Sequence, residues 1–90
     1  MKIVVINPNS SAAMTADIAA AAKEYAGDRF ETVTVLTPGA PEFIDTFEDA
    51  ARAQSGMMEL VRQYEDADAF IVACACDPNL KLLRELQKNR

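Results

Sequence analysis

Four consecutive β-branched residues, Ile3-Val4-Val5-Ile6, constrain this chain more than any other feature. A strand with one wet face alternates apolar and polar side chains, because neighbours along it point to opposite sides. A run without alternation has both faces buried, as in the centre of a parallel sheet covered by helices on each side. Asn7-Pro8 ends the run.

The rest of the sequence can be divided against that first strand. Asn9, Ser10 and Ser11 are all residues that cap helix N-termini. A first helix is predicted from Ala12 to Ala26, with Met14, Ile18, Ala21, Ala22 and Tyr25 on one face and Gly27 as its stop. The segment 31–36, ETVTVL, alternates Thr and Val, so this second strand is expected at a sheet edge. A second helical pattern follows, opened by Thr46 and Asp49 at capping-box spacing. Gly56 lies inside it, which leaves open one helix or two with a break at Ser55-Gly56. Ala69 to Ala73 is again an unbroken apolar run, expected to be a central third strand, and Asp77-Pro78 opens a third helix carrying Leu80, Leu83 and Leu86.

The order βαβαβα predicts an α/β fold: a three-layer unit with a parallel sheet and right-handed crossovers. With the alternating strand outermost, the strand order is 2-1-3, the flavodoxin-like arrangement. Such sheets bind ligands at the carboxyl ends of their strands, where the order reverses. Two loops fall there, NPNSS (7–11) and CACDPN (74–79).

Composition narrows the function classes. Ninety residues make a single α/β domain, 1–90, near the small end of what folds alone. Net charge is −5, there is no His, and the nine basic residues are scattered. That balance argues against nucleic acid or an anionic membrane as partner. No segment approaches the roughly 18 apolar residues of a membrane span, and the N-terminus lacks a signal-peptide core. A cytoplasmic location with reduced thiols is the expectation.

The only two cysteines, Cys74 and Cys76, therefore stand where this architecture places chemistry. Four readings compete. Both can be small buried hydrophobes in a non-catalytic binding or assembly module. Two thiolates with no His cannot close a four-ligand zinc shell, which weighs against a metal site. A redox pair usually has two intervening residues, and here there is one. A nucleophile or base is favoured by the helix start that follows, because its partial positive charge lowers a thiol pKa. The free N–H groups of that turn would also hold a carboxylate or enolate oxygen.

INPNSS followed by MT, and DAFIVACACDPNL later, resemble the aspartate/glutamate/hydantoin racemase superfamily, its hydantoin racemase branch most closely. PEFIDTFEDA also resembles the family's middle segment, although Thr46 stands where Gly is usual. The resemblance covers essentially the whole chain. It implies racemisation without a cofactor, by two cysteines that remove a proton beside a carbonyl and return one to the opposite face. It implies Cys74 as one catalytic thiol, and Asn9, Ser10 and the backbone N–H groups of Ala75 and Cys76 as substrate-binding groups. Cys76 itself stands where Gly is common.

Members of that family are more than twice as long, built from two similar halves with one cysteine each. The chain thus resembles only the N-terminal half, an incomplete unit. If Cys74 and Cys76 are both extended, Cys76 does not replace the second cysteine, because residues i and i+2 of a strand approach from one side whereas racemisation by two bases needs opposite faces. The implied partners are a small molecule (a hydantoin, an amino acid or a related carboxylate) and either a second copy of the chain or a missing C-terminal half.

Overall fold

The computed structural model describes residues 1–73, which run β1 (Lys2–Asn7), α1 (Ala12–Ala26), β2 (Glu31–Leu36), α2 (Phe47–Gln63) and β3 (Ala69–Val72). Both strand pairings are parallel, Lys2 to Asn7 against Glu31 to Leu36, and Ile3 to Ile6 against Ala69 to Val72. The sheet order is β2-β1-β3, as the sequence predicts. The helix expected from Asp77-Pro78 lies outside the described residues.

Side-chain parity explains the layers. Val4 and Ile6 of β1 pack with Ala53, Met57, Leu60 and Val61 of α2 in the main core. Ile3 and Val5, one position off, point to the other face and are also buried. From β1 the chain steps one way to β2 and then back across to β3. Right-handed crossovers in opposite directions put α1 and α2 on opposite faces of the sheet. Lys2 fastens the start of β3, its backbone N–H donating to Asp68 Oδ2 at 2.6 Å and its Nζ pairing with Asp66 at 3.1 Å.

The structure settles one open point of the sequence reading and corrects two expectations. Gly56 does not break α2, which runs unbroken from Phe47 to Gln63. A Cβ at Gly56 would meet Pro38 O at 2.3 Å and Thr37 Cγ2 at 2.7 Å, so the glycine lets the helix press on the loop after β2. The apolar face expected for α1 is only partly buried. Ala26 is enclosed, whereas Met14 and Tyr25 stay exposed, and Arg29 lies over the Tyr25 ring at 4.8 Å. Third, β3 pairs only with β1 within the described residues, and its Ile71 is 51% exposed. Parity turns Ile71 away from α2, and no described element covers β3 on that side.

The cap assignments hold. Ser11 is the N-cap of α1, its hydroxyl accepting from Met14 N, and Gly27 ends the helix at φ 53°. Thr46 and Asp49 form a reciprocal capping box on α2.

Candidate functional site

The carboxyl end of β1 carries a hydrogen-bonded cluster of short polar side chains. Asn7 is 1% exposed, and its Nδ2 donates to Asn9 Oδ1 at 2.8 Å and to Thr15 Oγ1 at 2.9 Å. Asn9 N donates to Asn7 Oδ1 at 3.4 Å, and Ser11 N donates to Asn9 Oδ1 at 2.9 Å. Thr15 passes its own proton to Ser11 O at 2.8 Å. The donor left on Asn9, Nδ2, meets the Met14 thioether at 3.6 Å, a weak acceptor.

The loop after β2 clamps this cluster from the other side. Thr37 is fully buried; its hydroxyl donates to Asn7 O at 2.7 Å and its N–H to Asn9 O at 3.1 Å. Ser10 N donates to Pro41 O at 3.0 Å. The NPNSS loop is therefore held through its backbone as well as by the helix cap.

A cavity of about 280 Å³ opens beside it. Asn7, Pro8 and Asn9 form one wall, Met14 another, and Phe43 to Asp45, just before α2, a third; Ala73 completes it. Ala73 N donates to Ile6 O at 2.9 Å, which carries the β3–β1 pairing one residue past Val72. The lining is mostly apolar with a few convergent polar groups, the usual character of a small-molecule site. Its charged side chain among the described residues is Asp45, at the exposed rim. The neighbouring Asp49 has its carboxyl pKa lowered, chiefly by the Asp45 backbone N–H, with Thr46 adding further hydrogen bonds against an opposing desolvation.

Of the site residues expected from sequence, Asn9 lies in the cavity wall. Ser10 is half-buried beside it, held through its backbone N–H. Cys74, Ala75 and Cys76 lie outside the described residues. Among the described residues, no group of three His, Cys, Asp or Glu side chains could hold a metal ion.

Sequence reasoning missed Asn7, Thr15, Thr37 and the Phe43–Asp45 wall. The sequence places Asn7 at the strand end and in the NPNSS loop, without a role for its side chain. A usable signal was an amide directly before Pro8 and eight residues ahead of a helical Thr15. Nothing local marks Phe43 or Ile44, because their role depends on where α2 lands.

Comparison with known proteins places these features in context. The family model described as Asp/Glu/Hydantoin racemase matches residues 3–88. A hydantoin racemase from Pseudomonas sp. (strain NS671) is 39% identical over 88 residues, which is 96% of this chain and 35% of that protein. A second, from Paenarthrobacter aurescens, is 35% identical over 89 residues, 96% of this chain and 38% of its own length. The solved structure of allantoin racemase from Klebsiella pneumoniae superposes with a TM-score of 0.87 at 37% identity, over 94% of this chain and 36% of that one. The chain thus spans a little over a third of the length of each of these relatives.

Proposed function

The chain belongs to the Asp/Glu/hydantoin racemase family, and on that premise we propose that it supplies one acid/base thiol and one wall of the substrate cavity of a cofactor-independent racemase. The observation that carries this reading is that Ala73, the residue before Cys74, lines the same cavity as Asn9. In the proposed reaction the Cys74 thiolate takes the proton from the chiral carbon beside a carbonyl. The C–H electron pair moves into the bond to the carbonyl carbon, and negative charge gathers on the carbonyl oxygen. Asn9 and the backbone N–H groups of Ala75 and Cys76 donate to the substrate's oxygens, and Ser10 closes the loop side. A proton returned from the opposite face restores the carbon with inverted configuration. That donor is a thiol from a further α/β unit or a second copy of the chain.

The lining supports one substrate class over another. Asp45 stands at the rim, and no Lys or Arg lines the cavity among the described residues. A second carboxylate there would meet a like charge, costing about 1 kcal/mol at 4 Å even in bulk water. A neutral hydantoin-type ring, with carbonyl oxygens as acceptors and a mostly apolar body, fits better than an amino acid with an anionic side chain.

The test is deuterium uptake from D2O at the chiral carbon of a 5-substituted hydantoin. Cys74→Ser is expected to lower the exchange rate at least a hundredfold, the scale of losing a positioned acid/base group. Exchange that continues at the original rate in that variant would overturn the role of Cys74.

A further inference from the structure

The direction in which the Asn9 amide points is decided by a backbone group. Ser11 N–H can only donate, so the atom 2.9 Å from it is the Asn9 oxygen. Asn7 places a second N–H on that same oxygen at 2.8 Å. Asn7 is oriented independently in turn. The Thr15 hydroxyl spends its proton on Ser11 O, so at 2.9 Å it accepts from Asn7 Nδ2. The Asn9 oxygen is thus occupied from two sides. Its nitrogen, on a residue only 6% exposed, has among the described residues just the Met14 thioether as acceptor, at 3.6 Å, and both residues line the cavity.

A buried amide donor covered only by a thioether is poorly satisfied and gains by meeting an oxygen. We infer that Asn7 is a positioning residue, which holds Asn9 Nδ2 ready for an acceptor oxygen of a bound molecule, with Met14 as the placeholder that oxygen displaces. The arrangement selects carbonyl or carboxylate oxygen over N–H at this point of the cavity. It rests on the reading that a carbonyl compound binds here, and it adds Asn7, Thr15 and Met14 to that reading.

Two variants of the full chain test it. Asn7→Asp replaces the N–H facing the Asn9 oxygen by an acceptor, so the Asn9 amide must turn or shift. Thr15→Val removes the acceptor that orients Asn7 at a half-buried helix position with a side chain of the same shape, and it keeps the test available if the first variant fails to fold. The first readout needs no ligand: the nuclear Overhauser effect between the Asn9 side-chain amide protons and the Met14 methyl. It is expected in the original chain, lost in Asn7→Asp and weakened in Thr15→Val. The second is titration with unsubstituted hydantoin, whose affinity is expected to fall about tenfold and a few-fold respectively, the range for one lost hydrogen bond. Folded variants that keep the Overhauser effect, or that bind hydantoin as tightly as the original chain, would overturn the role of Asn7. If the original chain binds no hydantoin, the substrate reading fails separately, and the Overhauser effect alone decides: its loss in the variants supports positioning and its persistence overturns it.

Discussion

Gly56, in the middle of α2, faces Pro38 so closely that a Cβ on it would lie 2.3 Å from the Pro38 carbonyl oxygen. Replacing glycine by alanine in an open helix stabilises by roughly 1 kcal/mol. Here the added methyl meets backbone, which cannot rotate away, so Gly56→Ala is expected to destabilise by about 1–3 kcal/mol. Urea denaturation followed by circular dichroism measures it, and a variant as stable as the parent would contradict the close contact.

Thr37 joins the same contact to the site. Its buried hydroxyl donates to Asn7 O at 2.7 Å, so Thr37→Val keeps the shape and removes the bond. A loss of about 1–2 kcal/mol is expected, whereas Thr37→Ser retains the donor and the Asn7 contact. Backbone amide exchange at Asn9, compared between the two variants, shows whether the clamp on the loop has loosened. Equal protection in both would mean that the hydroxyl contributes nothing there.

The α2 cap should be sensitive to acid. Asp49 Oδ2 accepts from Asp45 N at 3.0 Å and Thr46 N at 3.2 Å, and these bonds, the Asp45 one foremost, hold its folded-state pKa below the ordinary aspartate value. A lowered folded pKa means that the stabilisation is fully present above the unfolded pKa and disappears as pH falls through the folded one. Thermal melts of the parent and Asp49→Asn should differ most near neutral pH and converge as pH falls through the lowered carboxyl pKa. A difference that stays constant while the carboxylates are titrated with acid would rule out the Asp49 carboxylate as its source.

Asp45 should tune substrate charge. If the cavity takes a neutral ring because a carboxylate sits at its rim, Asp45→Asn should raise deuterium exchange with glutamate relative to a hydantoin. The expected change in that ratio is roughly fivefold, equivalent to about 1 kcal/mol. An unchanged ratio would remove the electrostatic basis for the choice of substrate.

Several elements were legible because their signals are local. The bounds of α1, the ETVTVL strand, the Ser11 cap and the Thr46–Asp49 box each depend on a few adjacent residues. The strand order followed from comparing an alternating strand with an unbroken one. The same logic misplaced Ile71, since an apolar run reports the burial a strand can use and not whether a described neighbour covers it. Gly56 was ambiguous for a related reason: sequence registers its low helix propensity, while its reason is a loop some twenty residues earlier.

By itself, the amino-acid sequence determined the parallel α/β architecture, the end of the sheet where a candidate site is expected, and the resemblance to racemases through NPNSS and CACDPN. Those conclusions rest on periodicity, caps and motifs, which are properties of neighbouring residues. Only the tertiary structure decided that Asn7 orients Asn9, that Thr37 clamps both, and that Phe43 to Asp45 close a wall around them. Each of those contacts joins segments whose approach is set by how α1 and α2 pack on the sheet. An amide's hydrogen-bond partners follow from that packing, and the same dipeptide elsewhere would point its donor somewhere else.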